Sequence, residues 1–495
     1  NACDFGDLIL YCVKLFENNS DIKQIYNNNF KYILVDEFQD TNFIQNKWLN
    51  LLVNENQNIC CVGDDDQSIY SWRGAEIKNF LTFDSIYKDC KIFKLEQNYR
   101  STKNILETAS ALISHNNGRV EKKLWSSAQQ GEKVKLNCYQ TGREEAEAIS
   151  DVAEKKLKKK YSLNNVAILV RAIYQTREFE ERFLKVGLGY RVLGGTKFYE
   201  RAEVKDAVAY LRIINQKYDD LALERVIGSP RRGIGESTLN QLYSFGNQNK
   251  LCLEDSIKKN LESDNLKPKM KISLSQLIKM IDKWRLDSNT NKHYDLLKIV
   301  LDESGYSEML KNKKDIENEN KLENIKELLR AMHDYDNLQS FLEHVALATS
   351  IDKEWEGEKI NLMTMHAAKG LEFDVVFLPG WEEGLFPHQK SLEEKGDSAL
   401  EEERRLAYVG ITRAKKEVYL SFAMKRSYHG EWMDALPSRF VNEMPDENVE
   451  KNEIENKEIE QDFEFNQDVS IDYDSEYKSP GWERYKKNKM LKWKK

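Results

Sequence analysis

The run Tyr-Ile-Leu-Val-Asp-Glu-Phe-Gln-Asp, Tyr32 to Asp40, restricts the fold of this chain more than any other stretch. Its apolar half reads as a short strand buried on both faces, of the kind found inside parallel sheets. Asp36 and Glu37 follow at once, so two adjacent carboxylates are expected where the strand ends, the edge at which open α/β sheets bind ligands. That placement suits metal-assisted phosphoryl transfer. One acid fixes a hydrated magnesium, and the other orients and deprotonates the attacking water. An isolated Val-Asp-Glu is more often an acidic surface turn, so the neighbouring segments have to decide.

Two further strand ends carry chemistry. Ile59 to Val62 runs into Gly63-Asp64-Asp65-Asp66-Gln67-Ser68-Ile69-Tyr70-Ser71-Trp72-Arg73-Gly74, and a third strand, Ile92 to Leu95, runs into Gln97-Asn98-Tyr99-Arg100-Ser101. Gln67 can bond a phosphate or a water without adding charge. Tyr70, Trp72 and Arg73 combine stacking planes with a cation, which grips single-stranded bases and backbone; the same aromatics would also serve a capping loop that fills a core. Three successive strand ends bearing Asp-Glu, Gln and Tyr-Arg are expected to assemble one nucleotide pocket from loops.

Helix and strand then alternate. Val166 to Arg171 is another buried strand, and Thr176 to Val186 a helix. From about Arg191 to Asp352 the composition turns helical and polar, as in a helical domain inserted into an α/β one. Within it lies Ser229-Pro230-Arg231-Arg232-Gly233-Ile234-Gly235. Its glycines would let backbone N–H groups approach a phosphate beside two arginines, or it is a helix-to-helix turn with solvated arginines. The α/β pattern resumes with the strand Ile360 to Thr364, the segment Met365-His366-Ala367-Ala368-Lys369-Gly370-Leu371-Glu372-Phe373 and the strand Val375 to Leu378. His366 and Lys369, three apart, would share a face on a helical turn. A helix from about Leu400 leads to the strand Glu417 to Phe422.

A chain of 495 residues implies two to four domains. No apolar run approaches the roughly 20 residues that span a bilayer, and the opening Asn1 to Leu15 lacks the basic start of a signal peptide. Seven cysteines, scattered and without a C-x-x-C pair, indicate neither a zinc site nor a disulfide framework, and a cytoplasmic setting is expected. The net charge of −8 is uneven: Asp446 to Tyr477 holds 13 acids against 2 lysines, and Lys478 to Lys495 holds 8 bases against one acid. Any contact with a polyanion must therefore come from local patches. The acidic stretch after Pro445 has no persistent apolar period and is expected to be disordered. The closing segment interleaves Trp482, Tyr485 and Trp493 with its bases, as an interaction tail or the start of a further domain would.

The segments from Asp36, Gly63 and Leu95 resemble, in order and approximate spacing, the second, third and fourth motifs of superfamily 1 DNA helicases, with wording closest to the UvrD/PcrA/Rep family. Met365 to Phe373 resembles the fifth motif, and Glu401 to Ala414 the sixth. The resemblance spans essentially Asp4 to Met444. It implies an α/β fold of RecA-like parallel-sheet subdomains with an inserted all-helical subdomain. A partial first subdomain would occupy 1–97, the second 98–190 and 353–444, the helical insertion 191–352, and a tail 445–495. It implies ATP and Mg2+ in the cleft, with Asp36 on the metal, Glu37 as general base, Gln67 sensing the γ-phosphate, and Arg100 and Arg413 as arginine fingers. Tyr99 would stack on adenine, and Glu372 beside Gly370 would meet the ribose. Tyr70, Trp72, Arg73, His366, Lys369 and Tyr428 would hold single-stranded DNA, while Arg231, Arg232, Gly233 and Gly235 would touch duplex. The implied activity is 3′-to-5′ travel and unwinding in DNA repair. Its partners would be single-stranded DNA and single/double-strand junctions and possible repair proteins, not membranes, and the protein a monomer or weak dimer.

One departure stands out: the sequence contains no G-x-x-x-x-G-K-[ST], which the family carries upstream of where this chain begins. The chain alone is therefore expected to hydrolyse ATP poorly. The alternatives are a non-catalytic DNA-binding or regulatory module descended from a helicase and, less well matched by the short tail, a helicase–nuclease.

Overall fold

The strands fall into three separate sheets, one large and two of two strands each. In chain order they are β1 (Ile33–Val35), β2 (Ile59–Cys61), β3 (Gln97–Asn98), β4 (Trp125–Ser126), β5 (Val134–Thr141), β6 (Val166–Val170), β7 (Tyr190–Val192), β8 (Ile360–Thr364), β9 (Phe373–Leu378), β10 (Ala414–Tyr428), β11 (Glu431–Asp434) and β12 (Val449–Asn452). This is a computed structural model, and it describes residues 3–87, 89–263, 266–312, 316–350, 357–428 and 431–452. β1 pairs in parallel with β2 alone. The large sheet runs β12-β5-β10-β9-β6-β8-β7, all parallel, with β11 antiparallel on the end of β10.

β6 shows why this sheet forms. Its five residues, Val-Ala-Ile-Leu-Val, are all fully buried, and alternate side chains point to opposite faces. Ala167 and Leu169 enter one core with Leu112, Val376 and Leu406, whereas Val166, Ile168 and Val170 enter a second core with Phe179 and Phe183 of the Thr176–Val186 helix. A strand covered on both sides needs no polar face, so an unbroken apolar run is the pattern the architecture demands. The helix ends where Gly187 adopts φ +67°.

Between β7 and β8, which are themselves paired, the chain leaves the sheet and builds a bundle of helices from Ala202–Asn215 to Leu338–Ser350. Its core gathers around Trp284, Tyr210, Tyr306 and Phe341. Buried polar contacts pin it to the Thr176–Val186 helix that covers the sheet: Arg177 Nε donates to Glu327 at 2.5 Å and Arg201 Nη2 to the Thr176 hydroxyl at 2.7 Å.

Several expectations need correction. β1 is not buried on both faces: Leu34 is 81% exposed, because β1 pairs along one edge only and no layer of the described residues covers that face. Ile92 to Leu95 forms no strand; no backbone among the described residues pairs with it, and Ile92, Phe93 and Leu95 are exposed. The ladder lies two residues later, where β3 pairs with β4. His366 to Lys369 is a series of turns and not a helix. The first helix begins at Phe5, capped by Asp4 and Asp7 acting on each other's backbone N–H. The ordered chain runs past Met444, since β12 adds a parallel edge strand beside β5. Residues 453–495, with the rest of the expected tail, lie outside the described residues. Among the described residues no helix is long and apolar enough to cross a membrane.

Leu169→Ala at the centre of β6 is expected to cost about 2–5 kcal/mol, read as a lowered urea midpoint of the sheet transition. A loss below about 1 kcal/mol would contradict the two-sided burial described here.

Candidate nucleotide and nucleic-acid site

Asp36 is exposed at the end of β1, and its Oδ1 accepts the Glu37 N–H at 2.9 Å. Glu37 itself sits at φ +51°, ψ +40°, a left-handed conformation that costs a non-glycine residue on the order of 1 kcal/mol. Such strain persists only where neighbours hold it, and here the neighbour is Gln39. Gln39 is fully buried; its Nε2 donates to Glu37 Oε2 at 2.6 Å, and its Oε1 accepts the Asp64 N–H at 3.0 Å. This junction requires Gly63: a Cβ there would lie 2.5 Å from Gln39 Oε1 and 2.9 Å from the Phe80 ring.

The connection continues through the loop after β2. Asp64 Oδ2 accepts Gln67 Nε2 at 2.7 Å, and Gln67 Oε1 faces Arg413 Nη2 at 3.4 Å. Glu37, Gln39, Asp64, Gln67 and Arg413 thus form one chain of polar contacts that starts beside β1 and ends at the large sheet. Arg413 is 1% exposed; its other partners are the carbonyls of Val409 and Leu371 and the Thr412 hydroxyl. Burial, and then the nearby Arg100 charge, lower its pKa to about 10. A buried guanidinium held by neutral groups, with no carboxylate in ion-pair contact among the described residues, is poised to receive an anion.

The loop is gripped by the large sheet's side of the molecule. Ile69 is fully buried in the core that contains Leu406 and Val376. Arg405 Nε donates to the Ser68 carbonyl at 2.8 Å, and Glu402 accepts the Ser71 N–H at 3.0 Å together with its hydroxyl. Lys369 Nζ lies 2.5 Å from Asp40, 2.8 Å from the Gln67 carbonyl and 3.5 Å from Glu37. Burial raises the Asp40 pKa in spite of that lysine.

Beyond the loop Tyr70, Trp72 and His366 form a shelf, each pair of ring centroids 6.4 Å apart. Arg73 lies 4.6 Å from the Trp72 ring, and the Tyr70 hydroxyl donates to the His366 carbonyl at 3.2 Å. Burial, reinforced by Arg171 and Arg73, pushes His366 down to about 3, so its imidazole is neutral at neutral pH.

On the other side Tyr99 is 83% exposed, with only its hydroxyl engaged, by Gln97 at 2.8 Å. Arg100 and Glu372 are paired with each other at 2.9 Å, and Lys415 joins Glu372 at 2.6 Å. These contacts, Lys415 first, lower Glu372 to about 2. Gly370 sits at φ +83°, which favours glycine. In the helical bundle Arg231, Gly233 and Gly235 are exposed before the helix Glu236–Asn249. Arg232 departs from the expected free cation: its guanidinium turns inward to the carbonyls of Val226 and Pro230 and to the Tyr210 hydroxyl at 2.9 Å. It closes the end of the preceding helix, whose last carbonyls lack helical partners. The Tyr428 side chain lies outside what the structure describes.

Sequence reasoning missed Gln39, Asp64, Glu402 and Arg405 as members of this site. All four fall inside stretches singled out by motif, but nothing local tells which way such side chains point.

Two parallel sheets joined by a polar chain that ends in a buried arginine, beside an aromatic and cationic shelf, form an α/β arrangement with the chemistry to take an anion on one side and flat rings on the other. Residues 93–425 match the UvrD-like helicase C-terminal domain, and residues 1–88 match the UvrD/REP helicase N-terminal domain. The chain belongs to the UvrD-like helicase family. A probable DNA helicase II homologue of Rickettsia conorii is 46% identical over 450 residues, covering 90% of this chain and 69% of that protein. The ATP-dependent DNA helicase PcrA of Staphylococcus epidermidis is 39% identical over 454 residues, 90% of this chain and 62% of that protein.

The His366 pKa, about 3 in the folded chain against an ordinary 6.5, makes the unfolded chain the better proton binder between those values. Stability should therefore fall as pH drops through that window. His366→Gln is expected to flatten the decline of Tm between pH 6.5 and 4; an unchanged slope would mean that the imidazole is not buried in its neutral form.

Proposed function

We propose that this chain supplies most of an ATP-driven DNA translocase that moves 3′ to 5′ on single strands and unwinds duplexes in DNA repair. The observation that carries the reading is Arg413: a buried cation with no carboxylate in ion-pair contact among the described residues, hydrogen-bonded to Gln67 and joined to the Glu37 acid by four successive polar contacts. A γ-phosphoryl group lodged between them would meet a base on one side and a positive charge on the other. Arginine fingers of this sort contribute roughly 10³–10⁵ in rate.

Glu37 deprotonates the attacking water, and Gln39 and Lys369 hold its carboxylate in place. Asp36 suits a hydrated magnesium: it is exposed, it offers hard oxygen, and its Oδ2 takes no hydrogen bond from the described residues. The ion would neutralise phosphate charge when bound. Tyr99 stacks on the adenine. Arg100 leaves Glu372 for the phosphates as the lobes close, which frees Glu372 for the ribose. Trp72, Tyr70, Arg73 and His366 hold bases on one shelf, with Lys369 beneath Tyr70, 5.3 Å from its ring; stacking tolerates any base, so movement is independent of sequence. Arg231 and the N–H groups near Gly233 and Gly235 meet the duplex ahead.

The 495-residue sequence holds no G-x-x-x-x-G-K-[ST], so turnover requires a phosphate-binding loop from further sequence. ATP hydrolysis with and without oligo-dT, on this chain and on a form extended to include such a loop, tests the reading. Only the extended form is expected to show DNA-stimulated turnover, and Glu37→Gln should lower it about 10²–10⁴-fold with DNA binding retained. DNA binding without turnover in the extended form would leave a binding module in place of the motor. Trp72→Ala is expected to weaken oligo-dT binding by about 1–3 kcal/mol in a fluorescence titration, and unchanged affinity would remove the shelf from the DNA path.

A further inference from the structure

The acidic run Asp64-Asp65-Asp66 sits next to Gln67 and, by its charge, ought to repel itself. The three carboxylates lie within 4.8 Å of one another, and the Asp65 and Asp66 side chains are buried. They are answered from a different part of the chain, the loop between the Lys103–Ile113 helix and β4. Lys122 Nζ lies 2.8 Å from Asp65 and 2.9 Å from Asp66 and also bonds Asp64. Arg119 takes Asp66 in a two-point contact at 2.9 and 2.5 Å, and the Val120 N–H donates to Asp65 at 2.8 Å. Burial pulls the lysine pKa down, but the three aspartates outweigh it and raise it well above the ordinary value.

Asp64 divides its two oxygens. Oδ1 takes Lys122 and the Asp66 N–H at 3.1 Å, and Oδ2 takes the Gln67 amide at 2.7 Å. With Oδ1 held, Oδ2 has one direction to face, and the Gln67 side-chain Oε1 is thereby turned toward Arg413. The loop carrying Lys122 is itself fastened to the Asp397–Ile411 helix. Asn116 Nδ2 donates to the Glu401 carbonyl at 2.9 Å, the Asn117 N–H donates to the Glu401 carboxylate at 3.1 Å, and Arg404 Nη1 bonds Asn116 Oδ1 at 2.5 Å. That helix runs directly into Thr412 and Arg413. Lys122 and Arg413 therefore ride on one rigid unit and reach Gln67 from two sides, one through Asp64 and one directly.

We propose that Lys122 is a positioning residue for the reaction: its ammonium, in the middle of the aspartate triad, orients Gln67 through Asp64 and so ties the Gln67 geometry to the position of the large sheet. The proposal rests on the reading of Gln67 as the γ-phosphate-sensing group. Without the ammonium, three carboxylates face one arginine, Asp64 turns away, and the Gln67 amide loses the acceptor that aims it.

The test is steady-state ATP turnover, with saturating oligo-dT, by the full protein that contains this chain and a phosphate-binding loop. Lys122→Met is expected to lower DNA-stimulated kcat about 10- to 100-fold, the range seen when a partner of a ligand-contacting group is removed. The KM for ATP and the oligo-dT dissociation constant should move less than about threefold, and Lys122→Arg should recover most of the loss because a cation is restored. Residues acting in one chain are non-additive, so Lys122→Met should cost nothing further in a Gln67→Ala background. A thermal unfolding midpoint is recorded for every variant, and Asp64→Asn, which keeps the side-chain shape, should reproduce the kcat loss if Lys122→Met proves unstable. Full multiplicative losses in the Lys122→Met/Gln67→Ala double variant, or failure of Lys122→Arg to recover activity at an unchanged midpoint, would overturn the role of Lys122 alone. Wild-type kcat in Gln67→Ala would instead overturn the reading of Gln67 and take the proposal with it.

Discussion

The contact on which the rest of the site depends is the meeting of Gln67 with Arg413, where the loop after β2 reaches the end of the Asp397–Ile411 helix. One partner belongs to the small β1–β2 array and the other to the large sheet, so the contact measures how the two stand relative to each other. On the small side it is backed by Asp64, Gln39 and Glu37. On the large side it is backed by a guanidinium with no carboxylate in ion-pair contact among the described residues. An arginine buried among carbonyls is unfavourable by itself and is tolerated because the surrounding fold holds it. The left-handed Glu37 backbone is a second local cost at the same place. Two such local costs converging on one cleft are the pattern in which functional sites store strain and perturbed charge.

The loop from Gly63 to Gly74 gives that contact its reach. Its first residues hold Gln67, its middle is anchored by Ile69 in the core of the large sheet, and its last residues present Trp72 and Arg73 beside His366. Ile69, Arg405 and Lys369 tie both ends of the loop to the large-sheet side, so a shift of that sheet would carry both ends with it. Burial of Ile69 makes the link stiff, because packed cores shift between discrete arrangements more readily than they deform. Lys122 adds a parallel connection through charge in place of packing.

Much of this was legible in the sequence where local chemistry and local geometry coincide. The acids after β1 could be placed because an apolar run that stops at charges leaves little choice of strand end. The helix Thr176–Val186 could be bounded because Gly187 supplies the positive φ that ends it. β6 could be recognised because a strand covered on both faces has no polar residues to interrupt it. Other features were hidden for physical reasons. Ile92 to Leu95 has strand-like composition, but a strand needs a neighbouring backbone, which composition does not report. Arg232 and Arg231 are adjacent and identical in type, yet one turns inward because Tyr210 and the Val226 carbonyl happen to be within reach. Lys122 sits in an unremarkable Val-Glu-Lys-Lys context, and its role comes from three aspartates more than fifty residues away in the chain.

On the proposed function, the Gln67 end of the Gly63–Gly74 loop faces nucleotide, the Trp72 end faces DNA, and the two are one mechanical element; a coupling measurement tests this most directly. The oligo-dT dissociation constant is measured with and without a non-hydrolysable ATP analogue, in the full protein with a phosphate-binding loop and in its Ile69→Ala variant. The nucleotide is expected to change DNA affinity by about 5- to 150-fold in the parent, and Ile69→Ala should shrink that ratio toward one while either ligand alone still binds. If the ratio survives intact in a folded Ile69→Ala protein, the two sites communicate by another route and the loop is not the link.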